Sequence, residues 1–231
     1  MITTIGNDIY NNLIAEDRWL YLLKGLGVTL KISFFAILIG CVIGILIVLM
    51  KMSSFKLLGI RVLDVIANIY VTVIRGTPLV TQVLIIYFVV FASVNIDKTV
   101  IAVIAFGLNS GAYVSEIIRA GIQAVDKGQM EAGRSLGFNV SKTMLYIIMP
   151  QAVKNIIPTL ANEFIVLIKE TAIVGYIAIE DLTKVGDIIR SRTYSAFVPL
   201  VTVALVYLLV TGLLAKGFSI LERRLRISDN R

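Results

Sequence analysis

The sequence predicts an all-α membrane protein with five transmembrane helices, and three observations carry that prediction. Hydrophobic residues fill 58% of the 231 positions and charged residues only 16%, against about 45–50% and about 25% in soluble domains; the mean hydropathy is +0.89. Charge-free runs cover residues 32–50, 76–96, 99–115 and 193–215, each near the ~20 residues a helix needs to cross ~30 Å of hydrocarbon. The excess of basic residues, a net charge of +7, is explained by their position between the runs, as topology signals, rather than by nucleic acid.

Composition also excludes chemistries. There is no histidine, so the usual general base, the Ser-His-Asp triad and most metal sites are unavailable. The single cysteine, Cys41, lies in the first apolar run, forms no internal disulfide and reads as a small hydrophobe. No Gly-x-x-x-x-Gly-Lys-Ser/Thr occurs, so the chain has no P-loop and must draw energy from a gradient or a partner. No metal or cofactor site is expected.

The elements follow in chain order. Residues 1–19 are polar and acidic (Asp8, Glu16 and Asp17 against Arg18) and lack the basic start and apolar core of a cleaved signal; they are expected outside. The membrane domain, 20–221, opens with a span at about 20–50. Lys24 and Lys31 lie near its outer end, where lysines snorkel to headgroups. Its Gly40-x-x-x-Gly44 pair suits a close helix approach, but a lone pair in an apolar run is no better than coincidence.

Lys51, Lys56 and Arg61 place the next loop inside. Residues 57–74 carry Arg61, Asp64 and Asn68, and the charge-free part, 65–74, is too short to span; it reads as an interfacial helix leading into a second span, 76–94. A short outer loop, 95–98, precedes a third span, 99–125. Arg119, Lys127, Arg134 and Lys142 put residues 126–142 inside.

The fourth span, 143–168, holds Pro150, Pro158 and Glu163 and should be kinked and protein-facing. A polar outer stretch, 169–192, leads to the fifth span, 193–215, and the tail, 222–231, with Arg223, Arg224 and Arg226, belongs inside. One feature opposes this topology. Lys169, Lys184, Arg190 and Arg192 fall in the outer stretch, accompanied by Glu170, Glu180, Asp181 and Asp187.

Polar groups at membrane depth cost about 2.5–3.5 kcal/mol on insertion scales, so each needs an account. Glu163 shares a helical face with Thr159, Leu160, Val166 and Leu167, next to Asn162. Its carboxylate either pairs with a substrate cation, the preferred reading, or is held neutral or bonded to another span for packing. Asn109, Tyr113 and Glu116 recur at i, i+4 and i+7, with Ser110 beside them. They form a possible substrate lining, although Glu116 and Arg119 are spaced to pair within one helix. Arg75 reads as an interface anchor. Thr77 and Gln82 either line a passage or, for the threonine, bond the helix backbone.

Residues 126–150 form a long inside loop with its own pattern. A helix-forming run, 129–136, ends at Gly137, a natural C-cap position, and an amphipathic half leads to Pro150. Such a helix is either a knob for a partner's groove or an ordinary amphipathic loop.

Within it, Glu131, Ala132, Gly133, Gly137, Ile147 and Pro150 resemble the EAA signature of bacterial ABC importer permeases, E-A-A-x3-G-x9-I-x-L-P. Gly133 and Met149 depart from it by small or apolar replacements. Gly27-Val-Thr-Leu30, Arg75-Gly-Thr-Pro78, Tyr113-x-x-Glu116-x-x-Arg119-x-Gly121 and Asn162-Glu163-Phe164-Ile165 extend the resemblance to the polar amino acid permeases.

The resemblance implies the type I ABC importer architecture in the cell (inner, cytoplasmic) membrane. It implies a second permease subunit, identical or paralogous, two cytoplasmic ATPase subunits, and an extracytoplasmic amino acid binding protein. Residues 131–137, which are Glu131, Ala132, Gly133, Arg134, Ser135, Leu136 and Gly137, would be the ATPase-coupling helix. The chain itself would not be an enzyme. Glu163, Asn162, Asn109, Ser110, Tyr113, Glu116 and Thr77 are the candidate substrate residues. The cargo expected is a cationic amino acid (arginine, lysine or histidine), with glutamine, glutamate or cystine as alternatives. A gradient-driven carrier and a scaffold are the rival classes.

Overall fold

The computed structural model describes residues 2–53 and 60–227, and their regular elements are helices. In order these are α1 (Ile2–Ile9), α2 (Arg18–Met52), α3 (Val62–Gly76), α4 (Leu79–Ile85), α5 (Lys98–Gln123), α6 (Lys127–Ser135), α7 (Val140–Thr143), α8 (Met149–Glu170), α9 (Leu182–Thr193) and α10 (Phe197–Ile227). Lys56 and the first part of the expected interfacial segment lie outside the described residues.

Three stretches among the described residues are long and apolar enough to cross a membrane, Gly6–Met52, Lys98–Gln123 and Phe197–Arg224, and the broken pair α3 and α4 makes a fourth if counted as one. Where an interfacial helix leading into a second span, 76–94, is expected, α3 and the helix that follows it meet at a bend of 108°. Pro78 cannot continue a helix and biases its predecessor toward extended backbone. Accordingly α3 stops at Gly76 and Thr77 is extended (φ −122°, ψ 148°). The helix that resumes has seven α-helical residues and five in a π-type turn, Ile86–Val90. That rises only about 18 Å, short of the ~30 Å core. The fourth expected span is helical from Val140 to Glu170, with a π-type turn, Met144–Ile148, before Pro150. Lys154, Asn155, Asn162 and Glu163 leave α8 more polar than the other long helices.

The chain divides into two compact units. The first comprises Met1–Ala36, Pro78–Phe106 and Ile165–Leu214. Its core joins Leu22, Leu182, Val185, Ile189 and Val203. The N-terminal segment, expected only as a polar extension, is helical and tied in: Thr193 Oγ1 donates to Asn12 Oδ1 at 2.6 Å. Gly25 meets the start of α9 so closely that a Cβ there would stand 2.9 Å from the Asp181 carbonyl oxygen.

The second unit comprises Ile37–Thr77, Gly107–Phe164 and Ala215–Arg231. Ile47, Ala67, Val71 and Ala112 form its core. Here the coincidence reading of Gly40 and Gly44 is overturned. A Cβ on Gly40 would fall 2.8 Å from Ser110 Oγ and one on Gly44 2.6 Å from Val114 Cγ1, while Gly111 receives Ile43 from the other side. α2 and α5 are in backbone-close contact, and hydrogen in place of Cβ is what permits it.

Candidate functional site

Two clusters in the second unit hold the residues singled out by sequence. The first joins α5 to α8. Ser110, fully buried against Gly40, donates its hydroxyl to Glu163 Oε1 at 3.0 Å. Glu163 is half-buried, and Asn109, 4% exposed, precedes Ser110 on the same helix. Asn162 is exposed, and Thr77 donates to the Val73 carbonyl at 2.9 Å, the backbone bond typical of helical threonine.

Toward the end of α5, Glu116 gathers cations. Arg119 Nη2 and Nε approach its Oε2 at 2.6 and 3.2 Å, Lys51 Nζ its Oε1 at 3.1 Å, and Arg75 Nη1 its Oε2 at 3.7 Å. Arg75 also stands over the Tyr113 ring, 5.5 Å from its centre. The Glu116–Arg119 pair is the one the (i, i+3) spacing predicts. Lys51 and Arg75 come from α2 and α3, distant in sequence, and sequence reasoning did not connect them. The one clue was that each sits where an apolar run meets its first charge.

The second cluster is the loop after α5. Asp126 caps α6 by accepting from Gly128 N–H at 2.7 Å. Gly137 closes the helix at φ +87°, with Phe138 N–H donating to the Gly133 carbonyl at 3.1 Å; this is a left-handed cap that glycine adopts without strain. Gly133, the departure from the signature, is buried, and a Cβ there would fall 2.5 Å from Thr143 Cγ2 and 3.0 Å from Ile147 Cδ1. The remaining residues of 131–137 are exposed, Leu136 at 77%. α6 thus packs one face on 143–147 and presents the other.

The outer polar stretch contains a group the sequence reading passed over. Asp181 is fully buried and caps α9, accepting from Thr183 and Lys184 N–H at 3.0 and 2.9 Å and from the Tyr207 hydroxyl at 3.4 Å. Burial pushes its carboxyl pKa up, and the hydrogen bonds only partly oppose this. Two of the four cations that oppose the topology are paired: Arg190 and Lys184 reach Asp187 at 2.6 and 3.3 Å, and these bonds, Arg190's first, hold its pKa down.

Long apolar helices and a capped loop with an exposed apolar tip define the class, a helical membrane protein that presents a short helix from its surface. Residues 36–227 match the model of the binding-protein-dependent transport system inner membrane component, and the chain belongs to that family. It is 43% identical over 215 residues (92% of this chain, 96% of the relative) to the putative glutamine transport system permease protein GlnP of Rickettsia bellii. It is 42% identical over 211 residues (90% and 94%) to the arginine transport system permease protein ArtQ of Bacillus subtilis. The crystal structure of an amino acid ABC transporter with histidines superimposes with a TM-score of 0.82 at 48% identity, covering 88% of this chain and 94% of that one. The fold is that of the type I ABC importer permeases.

Proposed function

We propose that this permease of an amino acid ABC importer carries cationic amino acids across the inner membrane by alternating access. Five spans leave the N-terminus outside and the C-terminus in the cytoplasm. A second permease copy or paralogue completes the pathway, two cytoplasmic ATPase subunits receive residues 131–137, and an extracytoplasmic binding protein delivers cargo. Relatives of nearly equal identity are named for glutamine and for arginine, so similarity does not choose the cargo. The observation that carries the choice is the Glu163 carboxylate, half-buried in α8 and oriented by Ser110 at 3.0 Å. A guanidinium pairs bidentately with such a group, and a cationic side chain entering a low-dielectric passage otherwise meets a heavy desolvation cost.

The coupling role is tested at Gly137. Gly137→Asp adds a charge and forces a side chain into positive φ. Uptake and ATPase co-purification should collapse while the permease still inserts. Wild-type co-purification and uptake would remove 131–137 from the docking surface.

A further inference from the structure

A cleft of about 440 Å³ opens beside the Glu116 cluster, its polar lining made by Lys51, Arg61, Asp64, Asn68, Thr72, Glu116 and Arg119. Its lining sets three cations, Lys51, Arg61 and Arg119, against two carboxylates: Glu116 takes Lys51 and Arg119, and Asp64 takes Arg61 at 3.4 Å; Arg75, outside the lining, also reaches Glu116 at 3.7 Å. One positive charge is therefore in excess in the lining, and Arg75 beside it adds a second. Side-chain exposure of Lys51 is 18%, so water screens this ammonium incompletely, while the Arg61 and Arg119 guanidiniums stand about half exposed at the mouth of the cleft. Asn68 and Thr72 lie one turn apart on α3 and bring an amide and a hydroxyl to the same cleft.

Fixed guanidinium and ammonium groups with neutral donors beside them are the chemistry that recognises phosphate. Lys51 lies one residue from the end of α2 at Met52, the end that the topology proposed above puts at the cytoplasmic interface, and the inference rests on that topology. Basic pockets between helices at this depth hold anionic headgroups. We infer that the cleft binds an anionic phosphate group, supplied by a phospholipid headgroup of the inner leaflet or by a soluble phosphate ester. The anion completes the charge balance of the α2, α3 and α5 ends. It enters beside Asp64 and Glu116 without displacing them, since the lining cations together with Arg75 outnumber the two carboxylates.

The test uses the permease co-purified with its ATPase and measures retained lipid by native mass spectrometry, with phosphatidylglycerol, phosphatidylcholine or glycerol phosphate added. Retention of phosphatidylglycerol over phosphatidylcholine, undiminished by millimolar glycerol phosphate, supports the lipid source. Saturable glycerol phosphate binding without lipid preference supports the soluble one. At ~1 kcal/mol for each basic residue near the surface, Arg61→Gln should weaken phosphate binding about fivefold and Arg61→Gln with Lys51→Gln about 25-fold. Arg61→Lys should restore most of the single loss. Equal retention of both lipids with no glycerol phosphate binding, or unchanged binding in the double variant, overturns the proposal. An ATPase that fails to co-purify with the wild-type chain counts instead against the transport reading, and binding is then read on the permease alone.

Discussion

Glu116 and Glu163 are half-buried carboxylates on α5 and α8 of the same unit, and their neighbourhoods differ in kind. Glu116 sits among Lys51, Arg75 and Arg119, whereas Glu163 takes a neutral hydroxyl from Ser110. The first arrangement is a fixed ion cluster joining three helices; it anchors, and an incoming cation would meet three like charges. In the second, a hydroxyl on the neighbouring helix orients the carboxylate. Sequence spacing put both among the candidate substrate residues, with pairing to Arg119 as the structural reading of Glu116; under the function proposed above, the neighbours give Glu116 the anchoring role and Glu163 the recognition role.

The largest effect that sharpens this contrast is on stability. Glu116→Ala leaves three cations facing one another. Breaking a buried pair costs about 3–5 kcal/mol, and with Arg75 and Arg119 nearly half exposed the expected loss is about 2–3 kcal/mol. Thermal unfolding in detergent measures it, and a loss no larger than that of Glu163→Gln would erase the distinction.

Next comes the glycine behind Ser110. Gly40→Ala places a Cβ 2.8 Å from Ser110 Oγ, and overpacking of this kind costs about 1–3 kcal/mol. Because the displaced atom is the donor to Glu163, uptake should fall while the Glu116 cluster keeps its stability. Unchanged uptake would uncouple Ser110 from recognition.

The smallest effect is a pH dependence in the other unit. Burial raises the Asp181 pKa in the folded protein, so the folded state binds more protons than the unfolded one between the ordinary carboxylate value and the raised one. This group's contribution therefore becomes less favourable as pH rises through that interval and is constant above it. Asp181→Asn keeps a capping side chain and should remove the dependence, so the stability of the variant relative to wild type should increase as pH rises above the ordinary carboxylate value of about 4. A difference that does not vary with pH would contradict the assignment.

Legibility in the sequence followed the distance over which each feature acts. The loop after α5 was readable because its determinants are local. Gly137 ends α6 through bonds a few residues long, and the Glu116–Arg119 pair is one helical turn. The Gly40 contact with Ser110, the arrival of Lys51 and Arg75 at Glu116, and the burial of Asp181 under Tyr207 all join residues far apart in the chain, which hydropathy and spacing do not encode. The break at Thr77–Pro78 was written in the proline, but the apolar run continuing past it masked the interruption. The N-terminal helix was missed because its polar residues read as solvated, whereas Asn12 is buried in a bond to Thr193.

The claim that Glu163 recognises a cationic cargo is tested most directly by comparing arginine- and glutamine-stimulated ATP hydrolysis of the reconstituted complex, wild type against Glu163→Gln. The amide keeps the size and an acceptor for Ser110 and removes the charge. Losing a charge-assisted pair, worth roughly 1.5–3 kcal/mol, should lower the arginine response roughly 10- to 100-fold, with basal hydrolysis and assembly retained and any glutamine response little changed. A wild-type arginine response, or equal losses for the two amino acids, would contradict it.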